Sequence, residues 1–322
     1  MKAIAQDPYG TADGLELRDI DRPVPRDDEV LIQVRAAGVD PSILHLMTGK
    51  PYIARLALGL RRPKNPVRGW DVAGVVETVG AKVTGFAPGD EVFGSGDGSL
   101  AEYTRARADK LAPKPGNLSF EQAAALPVSG VTAYQAFSGK ARPRPGQRVL
   151  VIGASGGVGS YAVQLAVSYG AEVTAVCGPG AADFVRSLGA SGVIDYTSQE
   201  ITDSEHRFDV VLDTAGNRPL SLLRRVLTPK GILLMAGGED AGDWVGGLGR
   251  QLRGYALSPF LAQTLSSVIA VVRAEDLLAL KGLAEDGTIT PAVDRVYPLS
   301  EGVAAIRHLE TGHPRGKIVV TV

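Results

Sequence analysis

The chain reads as a two-domain α/β protein, with a β-rich domain joined to a doubly wound parallel sheet. Three observations predict this fold class. The β-branched run Val149-Leu150-Val151-Ile152 passes directly into the small-residue turn Gly153-Ala154-Ser155-Gly156-Gly157-Val158-Gly159, and a short apolar run of this kind reads as a buried parallel strand. Residues 160–167 follow as an apolar-faced helix, Gly170-Ala171 ends it, and residues 172–177 give a second strand at the spacing of a βαβ unit. The N-terminal region, by contrast, carries short strands punctuated by glycine and proline.

In chain order, residues 29–39 partly alternate and read as a strand with one covered face. Residues 72–80 form another strand, ended by Gly80, and Pro88-Gly89 makes the turn before a strand reaching Phe93. Residues 99–104 continue in the same style, so a twisted partial barrel is expected. Ser119-Phe120-Glu121-Gln122 has the form of a capping box and opens a helix through Leu126. Pro127 bends or breaks that helix, and residues 128–137 turn helical again. The basic, proline-containing residues 140–146 read as a solvated loop. Beyond the second strand, residues 192–195, 209–213 and 231–235 are further strands, with helical stretches between most of them. The tail, residues 317–322, is a strand expected to complete the N-terminal domain or the sheet edge beside it. The chain has neither internal repeats nor low-complexity segments.

Composition narrows the function classes. A chain of 322 residues has room for two cores, and 44% hydrophobic with 21% charged residues argues against disorder. A net charge of -1 leaves no electrostatic footprint for nucleic acid. No apolar run approaches the ~20 residues of a membrane span, and Met1-Lys2-Ala3-Ile4-Ala5-Gln6-Asp7-Pro8 lacks the apolar core of a signal peptide. A cytoplasmic enzyme without a membrane partner is therefore expected. The single cysteine, Cys177, excludes an intramolecular disulfide and a multi-cysteine zinc site. It ends an apolar strand, as a buried thiol or a contact at a cofactor's edge.

Strand, glycine turn and helix together suit a dinucleotide diphosphate, which needs close backbone approach and the free N–H groups of a helix start. Alone, the turn is equally a tight corner, and the surrounding strands favour the binding reading. Ala154 stands where the usual fingerprint has its first glycine, giving A-x-G-x-x-G.

Taken together, Gly69-Trp70-Asp71-Val72-Ala73-Gly74-Val75-Val76, Phe86-Ala87-Pro88-Gly89-Asp90-Glu91-Val92, the 153–159 turn, Asp209-Val210-Val211-Leu212-Asp213 and Gly312-His313-Pro314-Arg315-Gly316-Lys317-Ile318-Val319 occur in an order that resembles the medium-chain dehydrogenase/reductases, specifically the zinc-free, quinone-oxidoreductase-like branch. The resemblance implies a GroES-like catalytic domain over residues 1–123, completed by about 290–322, and a Rossmann domain over 124–289. It also implies NAD(P) bound in the cleft between them, and a homodimer.

Departures from the family pattern sharpen the subclass. Asp40 occupies the place of a zinc-ligand cysteine, Trp70 that of the histidine ligand, and no cysteine lies near Val128. Asp40, Asp71 and His45 are legitimate donor types for a metal, but a satisfied hydrogen bond or an acidic surface is the favoured reading, so no zinc is expected. Without zinc, alcohol activation as a metal alkoxide is not expected. Hydride delivery to an enone or quinone fits better, with hydrogen-bond donors stabilising the enolate-like oxygen. In the loop 40–46, Asp40 replaces a common Asn and His45 falls where several relatives have Tyr. His45 is a candidate donor of a hydrogen bond or proton, with a structural histidine as the alternative. Tyr52 lies near the active-site Tyr of enoyl-reductase relatives, and the resemblance makes Asp40, His45 and Tyr52 the catalytic candidates. His206, His308 and His313 are assigned no catalytic role.

For the cofactor, the resemblance implicates Thr132 beside the nicotinamide ribose and Ala154, Ser155, Gly156, Gly157, Val158 and Gly159 at the diphosphate. Cys177, Gly178, Tyr196, Asp213, Thr214 and Ala215 belong to the adenosine side, Gly237 (with Ala236 and Gly238) to the nicotinamide, and Lys317 is also assigned to the cofactor. The second strand ends at Cys177-Gly178 without the acid that NAD enzymes use for ribose hydroxyls, which favours NADPH over NADH. Yet Gly178, Pro179, Gly180 and Ala181 stand where relatives grip a 2′-phosphate. Residues 52–62 are a surface loop or, with Trp244-Val245 and residues 257–260, the mouth for a sizeable apolar conjugated carbonyl or quinone. Alternatives are a zinc alcohol dehydrogenase, an NADPH-binding regulatory protein, and a specialised biosynthetic reductase.

Overall fold

The computed structural model describes every residue except 205, 238–243, 245–247 and 313, so Gly238, Val245 and His313 lie outside the described residues. The chain divides into two compact units, Met1–Val131 with Val271–Val322, and Thr132–Ala270.

The first unit begins with β1 (Lys2–Ala5), paired antiparallel with β2 (Glu16–Asp19). β3 (Glu29–Val39) is its long central strand. α1 (Ser42–Thr48), a 3-10 turn at Tyr52–Ala54 and α2 (Arg55–Leu58) lead to β4 (Asp71–Val79), β5 (Glu91–Ser95), β6 (Tyr103–Arg107) and β7 (Leu111–Pro113). One edge of β3 pairs with β4, while its other edge is shared by β6 along residues 29–33 and by a later strand along residues 36–39. The partial alternation in the sequence suggested one covered face, yet nearly every residue of β3 is buried. The reason is packing on both faces: the apolar core around Val30, Ile32 and Val34 lies on one, and α3 (Phe120–Ala124) packs against β3 and β4.

α3 starts as expected. The Ser119 hydroxyl accepts from Gln122 N–H at 3.3 Å, and the Gln122 side chain accepts from Ser119 N–H at 3.1 Å. Pro127 ends that helix and opens α4 (Pro127–Ala136), because proline suits a first helical turn and not an interior.

In the second unit, β8 (Arg148–Ile152), α5 (Gly157–Ser168), β9 (Glu172–Cys177), α6 (Ala182–Ser187), β10 (Gly192–Asp195), β11 (Phe208–Asp213), α7 (Leu220–Arg225), β12 (Leu227–Met235), α8 (Leu248–Leu257) and β13 (Thr264–Ser267) follow in turn. The six strands run parallel in the order β10-β9-β8-β11-β12-β13. Strand order therefore reverses between β8 and β11, the switch point where open α/β sheets bind ligands. Leu150, Ile152, Val211, Leu233 and Met235 belong to its apolar core.

The chain then returns to the first unit through α9 (Ala274–Glu285), β14 (Val293–Pro298), α10 (Gly302–Glu310) and β15 (Lys317–Thr321). β15 lies between β14 and β3, so the tail is interior to the N-terminal sheet. The sequence suggested a return near residue 290, whereas the unit already includes residue 271. α9 packs on β7, Asn117 donates to Ala284 O at 2.9 Å, and Gly116 N–H donates to Glu285 at 2.9 Å. These contacts fasten α9 to the β-rich unit.

The glycine turn is sterically specified. Gly153 has φ 77°, and a Cβ there would stand 2.4 Å from Thr214 Oγ1. A Cβ on Gly159 would stand 2.1 Å from Gly153 O, so α5 can approach β8 this closely only without a side chain. Gly159→Ala is expected to cost about 1–3 kcal/mol or more, as overpacking against backbone does, measured as a fall in the urea midpoint at unchanged m.

Candidate active site

The 153–159 turn presents backbone where a diphosphate needs it. Gly153 and Ala154 N–H both donate to Val176 O, at 3.1 and 3.0 Å, which anchors the start of the turn to β9. Gly153 takes the left-handed conformation and Ala154 does not, so alanine is tolerated at the first fingerprint position. Gly156 caps α5, and beyond its chain neighbours Gly153 O, at 3.5 Å, is the one atom of the described residues within 4 Å of where its Cβ would stand. Its missing side chain thus leaves a cradle that the protein itself does not fill. Ser155, Gly156, Gly157 and Val158 are partly exposed beside it, at a helix start whose first N–H groups lack helical acceptors. These residues fit a dinucleotide diphosphate.

At the end of β9, Cys177 is 2% exposed, and burial followed by the Asp195 charge pushes its thiol up. It is an inert buried thiol, and Gly178 continues the strand end in extended backbone. Tyr196 is 45% exposed next to this strand end, its N–H donating to Cys177 O at 3.2 Å. Sequence reading missed that an acid, Asp195, pairs in register with Cys177 from β10. Its carboxylate, however, accepts from Thr197 N–H and Oγ1 at 2.9 and 2.8 Å.

The side chains after β11 turn inward. Asp213 is fully buried, accepting from Gly216 N–H at 3.1 Å and from Arg250 Nη2. Thr214 Oγ1 donates to Ile152 O at 2.8 Å, and Ala215 is partly exposed. Gly237 N–H donates to Asp213 O at 3.2 Å, and Thr132, 9% exposed, opens the second unit. Asp213 and Thr214 thus shape the loop around the switch point through contacts within the protein.

In the first unit, one expected catalytic residue and one expected cofactor residue meet. Lys317 Nζ lies 3.2 Å from Asp40 Oδ2 and 2.8 Å from Asp71 Oδ2. The three residues are 2%, 5% and 0% exposed. Lys317, expected at the cofactor, has its ammonium enclosed between two carboxylates of its own unit. Asp40 also accepts from Ser42 N–H at 2.9 Å and from Ser42 Oγ at 2.5 Å, while Asp71 accepts from Val128 N–H at 2.9 Å. Gly38 makes room for the cluster, since a Cβ there would stand 2.6 Å from Ala124 O and 2.8 Å from Asp71 Cβ.

One cation cannot neutralise two buried anions. Burial raises Asp71 to about 7, reinforced by Asp40 and opposed by Lys317. Burial acts on Asp40 in the same sense, but Lys317 and Ser42 outweigh it and Asp40 is lowered. Burial would lower Lys317, yet the two carboxylates hold it up. Asp71 is therefore the member of the cluster that takes the proton.

His45 and Tyr52 lie on the segment that follows. His45 Nδ1 is 2.8 Å from Lys50 O, a pure acceptor, so Nδ1 carries the proton and Nε2 is the remaining functional nitrogen. The Arg55 guanidinium lies 4.7 Å from the Tyr52 ring centroid and 4.4 Å from that of Tyr9, and it donates to Gly49 O and Thr48 O. A further cation escaped sequence reading altogether. Arg68 is 1% exposed and donates to the carbonyls of Gln6, Leu46, Asn65 and Pro66, its pKa lowered by burial to about 10. Through Leu46 it fastens the helix that carries His45. Beside it, Trp70, Ala57 and Leu58 line a groove of about 660 Å³ shared with Arg105 and Lys110, and the buried Trp70 Nε1 has no hydrogen-bond partner among the described residues. Among the described residues, no group of three or more His, Cys, Asp or Glu is placed to hold a metal ion.

The cluster sets two expectations. Lys317→Met strands two buried carboxylates and should cost about 3–5 kcal/mol in denaturant unfolding. Asp71 loses its proton near 3.8 when unfolded and near 7 when folded. Its stabilising contribution is complete below about pH 4 and is lost as pH rises through about 7, at up to about 1.4 kcal/mol per pH unit. Asp71→Asn should flatten the stability profile between pH 5 and 7 by roughly that slope.

Comparison with known proteins places this geometry in context. Residues 26–116 match the alcohol dehydrogenase GroES-like domain family, and residues 188–320 match the zinc-binding dehydrogenase family. The chain is 35% identical to the 2-methylene-furan-3-one reductase of Solanum lycopersicum, over 99% of this chain and 79% of that protein. It is 34% identical to the chloroplastic NADPH-dependent alkenal/one oxidoreductase of Arabidopsis thaliana, over 99% and 79%. The solved quinone oxidoreductase of Coxiella burnetii superposes with a TM-score of 0.88 at 29% identity, covering 100% of this chain and 99% of that one. The chain belongs to the medium-chain dehydrogenase/reductase family, in its quinone-oxidoreductase-like branch of NAD(P)H oxidoreductases.

Proposed function

We propose that this protein is a metal-independent reductase that uses NADPH to reduce an enone or a quinone. The observation that carries the reading is the state of Asp40. At the position where zinc-dependent relatives have a ligand, its carboxylate is engaged by Lys317 and Ser42. Trp70, at a second ligand position, offers an indole N–H and no lone pair for a metal. The donor set does not fit zinc.

When bound, the reduced dinucleotide supplies hydride to the electron-poor β-carbon of an enone or to a quinone. The chain's own residues bind and orient. The 153–159 turn holds the diphosphate, Tyr196 packs against the adenosine, and the absence of an acid at the end of β9 admits a 2′-phosphate. Arg186, whose charge acts on Cys177, supplies a cation on that side. The name of the Arabidopsis relative is in keeping with NADPH. His45, with Nδ1 tied to Lys50 O, presents Nε2 as the nitrogen through which a proton would reach the reduced product. Homodimerisation rests on the family resemblance.

Purified protein should oxidise NADPH in the presence of some member of an enone and quinone panel, with activity unchanged by a zinc chelator. No oxidation with any acceptor, or loss of activity on chelation restored by zinc, overturns the reading. His45→Gln should lower kcat by roughly 10²-fold, the lower end for general acids, with KM for NADPH little changed. An unaltered kcat would make His45 structural.

A further inference from the structure

Arg250 is a buried cation with unmade bonds. Its side chain is 12% exposed, and Nη2 pairs with Asp213, while the buried Nε and Nη1 have no hydrogen-bond partner among the described residues. Buried guanidinium donors are normally satisfied, because leaving them unmade forfeits their hydration without return. Arg68 shows what satisfaction looks like in this chain, with every nitrogen on a carbonyl.

The position of Arg250 follows from packing. α8 seats on Met235 through Gly254, where a Cβ would stand 2.5 Å from Met235 Cε. Arg250 lies one helical turn earlier on the same face. Met235 is the β12 neighbour of Asp213, so the seating delivers the guanidinium to the carboxyl end of β11. On its other edge Asp213 pairs with Ile152, the residue before the glycine turn. The unmade donors therefore stand on the β11–β12 side of the switch point, opposite β9 and Tyr196. A dinucleotide crosses this point with its diphosphate at the turn. With adenosine toward β9, the nicotinamide mononucleotide half extends over β11 and β12.

We propose that Arg250 binds the nicotinamide mononucleotide half of the dinucleotide, Nε–H and Nη1–H donating to its phosphate or ribose oxygens while Asp213 holds Nη2. Asp213 is then a positioning residue. The proposal rests on the reading of the chain as NADPH-dependent.

Calorimetric titration of the full chain and its Arg250→Met and Arg250→Lys variants tests it, using NADPH, 2′-phosphoadenosine 5′-diphosphoribose, 2′-phosphoadenosine 5′-diphosphate and adenosine 2′,5′-bisphosphate. Arg250→Met should weaken NADPH and the diphosphoribose by about tenfold or more, the loss expected for charged hydrogen bonds. Adenosine 2′,5′-bisphosphate, which lacks that half, should bind both variants within about twofold of the parent, and this also reports that they are folded. Arg250→Lys should recover part of the loss. Weakening already present with the diphosphate assigns the phosphate oxygens, and weakening only once the ribose is added assigns its hydroxyls. Unchanged NADPH affinity, or equal weakening of all four ligands, overturns the contact while leaving the cofactor reading intact. A parent protein that binds none of the four overturns both.

Discussion

The β-rich unit depends on one ammonium shared by two buried carboxylates. Lys317 opens β15, Asp40 follows β3, and Asp71 opens β4, so the cluster joins the start of the last strand to two strands near the other end of the chain. A buried ion pair adds little net stability against a well-packed apolar alternative, because desolvation offsets attraction. Its effect here is on register. β15 must lie against β3 with Lys317 at the end that holds Asp40, or three charges lose their partners together. Asp40 in turn accepts from Ser42, and that bond begins the helix that carries His45. The candidate catalytic segment is thus hung from an electrostatic joint, with Arg68 fixing its far end through Leu46.

The parallel unit contains a second buried acid with a different balance. Asp213 is paired one to one with Arg250. The excess there is in donors. In the first unit the surplus is negative charge, which protonation of Asp71 relieves. In the second it is N–H groups with no acceptor among the described residues, which a bound acceptor would relieve. The first kind of imbalance tunes stability with pH, and the second invites a ligand.

Much of this was written in local pattern. The glycine turn, the β8–α5–β9 unit, the capping box at Ser119 and the break at Pro127 each depend on residues within a few positions of one another, and each is found where the sequence suggests. Short strands with weak patterns, such as β1, β2, β13 and β14, gave no such signal, since four to six residues carry too little periodicity to stand out. The charged residues were hardest to read. Lys317 is separated from Asp40 and Asp71 by 277 and 246 positions, and Arg250 from Asp213 by 37. Charged side chains default to the surface in sequence reading, and nothing in composition or spacing distinguishes a buried Arg68 from an exposed one. The resemblance did bring Asp40, Asp71 and Lys317 to notice, but as separate motif positions.

The replacement of zinc ligands bears on which chemistry the fold can run. Oxidising an alcohol requires the loss of a hydroxyl proton, which a metal ion makes feasible at neutral pH by binding the alkoxide. Here the corresponding place holds a carboxylate already occupied by an ammonium, enclosed with a second carboxylate that takes up a proton near pH 7. In such a cluster the carboxylate is already engaged by the Lys317 ammonium and Ser42. A conjugated acceptor asks for less: its carbonyl is already polarised, hydride adds at a distance from the oxygen, and ordinary hydrogen-bond donors suffice for the charge that develops. The reductive direction on activated acceptors is the chemistry for which this constellation of residues is sufficient.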